Sequence, residues 1–348
     1  MTFRAICIST LIFLPAMYGF ANSQEKEQRV YQTTKVSESA PKIDGYINDT
    51  AWQQVDWSGN FTQRSPVDGA SPSQPTLFKI LYDQEYLYIA VRAQDDEPGK
   101  IVTRLSRRDG FEGDFVEVNI DSYFDKRTAY SFTATAAGVK GDEAITQNGN
   151  NWDAEWDPIW YLQTRIDDKG WVAEMKIPLS QLRFNHSDSQ TWGIQLTRYL
   201  YRKDEKSLWR YIPQEEAGWV NNFGELHGIE QIAPKKLLEV SPYTVTRMET
   251  YQADADNPFT TGREWNSKFG LNGKVGITND FTLNFTVNPD FGQVEADPSE
   301  VNLTAFESYF QEKRPFFIED RNITSFQLSE GGNDFAQDNL FYSRRIGR

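Results

Sequence analysis

Over most of the chain, apolar and polar residues alternate with the period of β-strands. Leu77–Tyr82 and Tyr86–Ala93 flank Asp83-Gln84-Glu85, which predicts a hairpin. In its second arm Tyr86, Tyr88 and Ala90 fall on one face and Leu87, Ile89 and Val91 on the other. Phe115–Ile120 and Ala129–Thr135 read as further strands joined by the charged turn Asp121–Arg127, and Trp192–Leu200 and Leu208–Ile212 continue the series. Between Asn148 and Phe184, three tryptophans (Trp152, Trp156 and Trp160) precede two extended runs joined by Asp167-Asp168-Lys169-Gly170. Glycine takes a positive φ at little cost, so this too is a hairpin. No helical period is sustained across 77–212. Short strands at this spacing predict an all-β fold, an antiparallel, jelly-roll-like sandwich of two sheets. Ahead of it, residues 22–40 are polar and read as a flexible lead-in. Pro41-Lys42-Ile43-Asp44-Gly45 predicts an edge strand, Asn48–Trp52 a short helical turn, and residues 60–76, rich in Pro, Ser and Gly, a loop.

Ala233-Pro234-Lys235-Lys236 marks a boundary. Beyond it Phe269, Leu271, Gly273, Val275 and Ile277 alternate with Gly270, Asn272, Lys274, Gly276 and Thr278. After Asn279-Asp280, the residues Phe281, Leu283, Phe285 and Val287 alternate with Thr282, Asn284, Thr286 and Asn288. This pattern suits a membrane-barrel strand of about 9–11 residues, and it also suits a half-buried hairpin in a soluble sheet, which the pattern alone favours. Asp297-Pro298-Ser299-Glu300 is a helix start, with Leu303, Phe306 and Phe310 on one face, Lys313-Arg314 in the last turn and Pro315 as the stop. The strand-like Leu340–Ser343 lies close to Arg348, so a barrel beginning here would be incomplete.

Composition narrows the partners. With 36 Lys and Arg against 50 Asp and Glu the formal charge is −14, which argues against nucleic acid as a partner. The 348 residues suggest two domains, and 39% hydrophobic residues are ample for their cores. Residues 1–21 have the form of a secretory signal peptide: Arg4, an apolar run from Ala5 to Leu14, and small residues Gly19 and Ala21 at a cleavage site. The single cysteine, Cys7, falls inside it, so the exported chain would carry no disulfide and no thiolate site.

Catalytic signatures are sparse. There is no nucleophile elbow, HExxH, P-loop or dinucleotide fingerprint, and the two histidines, His186 and His227, lie far apart in sequence. Asp153, Glu155 and Asp157 beside the tryptophans could supply the carboxylate pair of a glycoside hydrolase. Asp95, Asp96, Asp121 and Asp125 are candidate oxygen ligands for calcium, without the fixed spacing of an EF-hand. Flat indole faces next to amides and carboxylates suit a sugar, whose ring has apolar C–H faces and polar edges.

Residues 41–230 resemble the family 9 carbohydrate-binding module. The matching pieces are Pro41–Gly45, Trp52, Gly113–Val118 and Gly170–Pro178. The resemblance implies a β-sandwich over residues 41–232 that binds glycan ends between aromatic rings and often carries structural calcium. Trp152 and Trp156, with Asn151 and the Arg108-Asp109 pair, are the ligand-binding candidates it suggests. The remainder, 236–348, is similar to an uncharacterised family of bacterial outer-membrane barrels fused to such modules, through Asn288–Asp297, Glu312–Phe317 and Tyr342–Gly347. That implies membrane lipid as a second partner, a truncated barrel, and a module on the periplasmic side. The expected function is non-catalytic carbohydrate binding in uptake or catabolism. The alternatives are a structural or transport barrel whose sandwich binds no sugar, and glycoside hydrolysis at the sandwich.

Overall fold

Alternation along the strands puts one apolar face of each of two sheets against the other. The computed structural model describes residues 28–233, 235–252, 262–278, 281–289, 312, 314–318 and 343. The expected signal peptide, the helix start at Asp297 and most of the Asn288–Asp297 and Tyr342–Gly347 segments lie outside the described residues. The sandwich strands, in chain order, are β1 (Val30–Gln32), β2 (Thr34–Lys35), β3 (Thr62–Ser65), β4 (Thr76–Tyr82), β5 (Tyr86–Gln94), β6 (Phe115–Asp121) and β7 (Ala129–Thr135). They continue as β8 (Lys140–Thr146), β9 (Asn151–Asp153), β10 (Tyr161–Asp167), β11 (Gly170–Pro178), β12 (Ser189–Leu200), β13 (Glu205–Leu208) and β14 (Gly224–Glu230). One sheet runs β1-β14-β12-β6-β7-β8-β9, with β13 and β3 branching from β12; the other runs β10-β11-β5-β4-β2.

Val116, Val118 and Ile120 of β6, Phe132 and Ala134 of β7 and Ile194 and Leu196 of β12 pack against Phe78, Ile80, Ile89, Val91, Ala173 and Met175 of the facing sheet. Truncating one of the largest of these, such as Trp192 or Phe132, should cost about 3–5 kcal/mol. A second cluster forms where the helical turn Thr50–Gln54 lays Ala51 and Trp52 over Leu81, Tyr88 and Ala90 on the outer face of the smaller sheet. A third covers part of the outer face of the larger sheet, with Ile145, Leu208, Ile212, Trp219, Val220 and Phe223.

The predicted hairpins at 83–85 and 167–170 form, with Asp167 paired to Gly170. Four expectations fail. Within the lead-in, β1 and β2 join β14 and β4, both in parallel, so the sandwich is not wholly antiparallel. Residues 62–65 are a strand on β13 within the expected loop. The edge strand at Pro41–Gly45 does not form, because the Asp44 and Gly45 N–H groups donate to the Glu174 carboxylate instead of to a neighbouring strand. The strand expected at Leu208–Ile212 ends at Leu208, where the chain leaves the sheet.

Beyond the boundary, β15 (Leu238–Thr250), β16 (Arg263–Gly276) and β17 (Thr282–Val287) form a separate antiparallel meander. Its register places Leu238, Val275 and Leu283 in one cross-strand row, Pro242, Leu271 and Val287 in another, and Met248 opposite Trp265. Leu238, Val240, Met248, Trp265, Phe269, Leu283 and Val287 all lie on this apolar face and all are exposed. The other face carries Glu239, Ser241, Lys274, Asn272, Thr282 and Asn284. Among the described residues these three strands do not close into a barrel. A short helical turn, Pro315–Ile318, begins at Pro315, a first-turn position that its missing N–H and fixed φ suit; the helix that Pro315 was expected to end lies outside the described residues.

Candidate functional site

The outer face of the larger sheet carries a built polar floor. On β6, Phe115, Glu117 and Asn119 point away from the core because Val116, Val118 and Ile120 point into it. Glu117 sits opposite Thr197 of β12 on one side and Thr133 of β7 on the other. The next row is Gln195, Asn119, Ser131 and Glu143, and the row on the opposite side is Lys206, Tyr199, Phe115 and Thr135.

The two inner rows are satisfied differently. In the Asn119 row, Asn119 Nδ2 donates to Ser131 Oγ at 3.0 Å, and Gln195 both donates to the Arg210 carbonyl at 2.6 Å and accepts its N–H at 2.9 Å. In the Glu117 row, Glu117 Oε1, Thr133 Oγ1 and Thr197 Oγ1 are all buried without a hydrogen-bond partner. A buried orphan of this kind costs about 1–3 kcal/mol, and with so little accessible surface these three oxygens lie beneath the outer face and out of a ligand's direct reach.

Aromatic rings stand at both ends of that row. At one end Trp219 donates from Nε1 to Asn119 Oδ1 at 2.7 Å, and its backbone N–H bonds the Asn148 carbonyl at 2.9 Å. Arg64 and Lys206 each lie 5.4 Å from the Trp219 ring centre. At the other end, Phe111, Phe115 and Tyr199 form a chain of rings with centroids 5.6 and 5.1 Å apart. Gly141 is what admits Phe111, since a Cβ there would lie 2.1 Å from its ring. On the rim, burial together with the nearby Glu117 and Asp109 carboxylates pushes Glu143 up to about 7.

The residues singled out by sequence are divided by the sheet. Trp152 lies opposite Ile145 on the outer face, its ring 6.4 Å from Trp219, and the two indoles line a shallow hollow of about 290 Å³ with Arg64 and Lys206. Asn151 turns to Thr146 Oγ1 at 2.9 Å. Trp156 is on the other side of the sheet, stacked 4.8 Å from Tyr130 and edge-on to Phe132, so it cannot clamp a ligand with Trp152. Arg108 is also on the inner side. It forks onto the fully buried Asp142, with its closest contact at 2.7 Å, donates to the Pro158 carbonyl at 2.8 Å and pairs with Asp157 at 2.8 Å. Trp160 Nε1 donates to the same Asp142 at 2.9 Å. Arg108 thus anchors the buried Asp142 on the side of the sheet away from Trp152. Its neighbour Asp109 accepts the Asp142 N–H at 2.9 Å and stays close enough to the rim to influence Glu143.

Calcium finds no assembled ligand set. Asp95 is occupied by Arg202 at 2.7 and 2.8 Å; burial would raise its pKa, but these bonds hold it below the usual range. Asp96 accepts from Gln74. Asp121 caps the following turn through the Asp125 and Lys126 N–H groups, at 3.2 and 2.8 Å, and burial pushes it up to about 6. Asp125 accepts from Arg127, Thr128 N–H and Thr128 Oγ1. Among the described residues no group of three or more His, Cys, Asp or Glu is arranged to hold a metal ion. The hydrolase candidates are engaged as well, Asp153 with the Glu155 N–H at 3.1 Å and Asp157 with Arg108.

Three of the four segments that carried the family resemblance, Pro41–Gly45, Trp52 and Gly170–Pro178, meet in a hub, away from the polar floor. Glu174, fully buried, accepts from Asp44 N–H at 3.1 Å, Gly45 N–H at 2.7 Å and Trp52 Nε1 at 3.2 Å. Gly45 takes φ 86°, and a Cβ there would lie 3.0 Å from the Arg165 Cβ. Burial pushes Glu174 up to about 7 despite the three donors.

Fold and site together define a two-sheet β-sandwich module with an aromatic-walled polar row on one outer face. Residues 43–219, about half of the chain, match the family model described as carbohydrate family 9 binding domain-like, and the chain belongs to that family. Residues 234–348 match a domain of unknown function, DUF5916. A family 9 carbohydrate-binding module from Caldicellulosiruptor kristjanssonii in complex with glucose is 18% identical, with a TM-score of 0.43 over 57% of this chain and 96% of that one. Its complex with cellotriose gives 19%, 0.42, 57% and 94%. A protein from Bacteroides uniformis gives 15%, 0.47, 58% and 100%. Comparison with curated proteins gives no match.

Proposed function

We propose that the sandwich binds a saccharide, without catalysis, on the outer face of its larger sheet. The observation that carries this reading is the hollow of about 290 Å³ on that face, where the Trp152 and Trp219 indoles, 6.4 Å apart, stand beside Arg64, Lys206, Asn148 and Glu216. A sugar ring brings hydroxyl groups that both donate and accept, so it can bond amide, carboxylate and cationic side chains together, while its C–H faces lie on aromatic rings. Family membership supports the same ligand class. Calorimetric titration of the chain with glucose and cellotriose tests it. Saturable binding that Trp219→Ala weakens at least tenfold is the expected result. Absence of binding to these sugars and across a glycan array refutes it.

The finer part of the proposal is that β15–β17 belong to an outer-membrane barrel, with the exported module on the periplasmic side serving carbohydrate uptake. Its support is a sheet whose one face is apolar and exposed and whose other face is polar. Strands of 13 and 14 residues exceed the about 9–11 that a tilted strand needs to cross a bilayer. Recovery of the full-length protein in the outer-membrane fraction is expected; a protein found wholly in the soluble periplasmic fraction refutes the assignment.

A further inference from the structure

We propose that a second saccharide site lies in the cleft between the sandwich and the polar face of β15–β17. This cleft measures about 350 Å³, within the range of about 300–1,000 Å³ typical of small-ligand pockets. It is separate from the outer-face floor: Trp152 lies opposite Ile145 on the outer side of the larger sheet, whereas Asp153 lies opposite Ala144 on the inner side, where the cleft opens. Trp156, half-buried, contributes the aromatic surface. One face of its indole is backed by Tyr130 at 4.8 Å, and the ring lines the cleft.

The two walls are joined at the rim. Gln181 donates to Glu239 at 2.8 Å and Arg183 donates to Thr282 at 3.2 Å, so the cleft is bounded by hydrogen-bonded contacts from both units. Its charge selects the ligand class. The acids Asp153, Asp157 and Glu239 line it together with the bases Arg183, Lys235 and Lys274. The cations stand beside acids of the protein: Lys274 is 4.0 Å from Glu239, and Lys235 is 2.5 Å from Glu85. Equal numbers of opposite charges leave no net field to attract a phosphate or a cation. An indole edged by carboxylates, an amide and hydroxyls suits a neutral, hydroxyl-rich ring compound, a short oligosaccharide. The proposal rests on the saccharide reading of the module only for the ligand class. It also places the bound sugar on the polar side of β15–β17, the side that faces the lumen in a membrane barrel, and so between the capture surface and the path inward.

The test is calorimetry and tryptophan fluorescence on the full chain with cellotriose as the probe. Two classes of site are expected in the unmodified protein. Trp156→Ala removes one, weakening it at least tenfold, and leaves the Trp219-dependent site unchanged. Because Trp156 also packs on the core, Asn284→Tyr is the second variant: it fills the cleft from β17 while leaving every sandwich residue unchanged, and should remove the same site. A single class of site, abolished by Trp219→Ala and indifferent to Trp156→Ala and Asn284→Tyr, overturns this inference and leaves the outer-face reading standing. Binding that only the cleft variants abolish overturns the outer-face reading and supports the cleft. No binding of cellotriose at all overturns both.

Discussion

Replacing Thr197 by valine tests whether the Glu117 row holds a stranded hydroxyl. The Thr197 hydroxyl is 1% exposed as a residue, lies beside Glu117, and its Oγ1 has no hydrogen-bond partner. Valine shares the branching at Cβ, so the change replaces the stranded polar atom by a methyl group and leaves the backbone preference as it was. An unpaired buried hydroxyl costs about 1–3 kcal/mol, so the ligand-free protein should become more stable by about 1 kcal/mol, a rise of about 2–4 °C in Tm for a domain of this size. Sugar affinity should stay within twofold, because the buried oxygen lies out of a ligand's reach. Urea unfolding and calorimetry on the same preparation read both numbers. A hydroxyl with a structural partner would lower stability when removed, so if Thr197→Val destabilises the free protein, its oxygen is paired there and the reasoning fails. If affinity falls more than twofold, the sugar reaches the row and the hollow beside Trp219 is not its whole site.

Three further outcomes follow from the structure. Glu174 is pushed up to about 7 from 4.5, so between those values the folded protein holds a proton that the unfolded chain has released; its contribution to stability should be greatest below 4.5 and fall as pH rises to about 7, by at most about 1.4 kcal/mol per pH unit. The rim group Glu143, shifted the same way, adds to this slope, and Glu174→Gln should flatten it in urea titrations between pH 4 and 8; an unchanged slope would sink the assignment. Arg108→Ala leaves the buried Asp142 without its cation and should cost about 2–4 kcal/mol while cellotriose affinity stays within twofold, whereas a sugar-contacting arginine would lose affinity and little stability. Phe269→Arg places a charge on the exposed apolar face of β16 and should cost about 2–4 kcal/mol of membrane insertion near the midplane, read as loss from the outer-membrane fraction; undiminished insertion counts against a lipid-facing surface.

The residues alone determined the strands that alternate over their whole length and the two-residue turn at Asp168-Lys169, because period and turn chemistry are local. They also set which face of β6 carries Glu117 and Asn119. The edge strands Val30–Gln32 and Thr34–Lys35 were not legible, since a polar segment becomes a strand only when a neighbour offers free backbone groups. Nor was the candidate site: Trp219 arrives beside Trp152 from a loop with no pattern linking the two, and residues 117, 133 and 197 become neighbours only through the order β12-β6-β7. Trp152 and Trp156, four residues apart, looked like one aromatic pair and ended on opposite sides of a sheet. Alternation fixes the side of a strand that a residue occupies; which strands lie beside it, and what then covers that side, is settled by packing the whole domain.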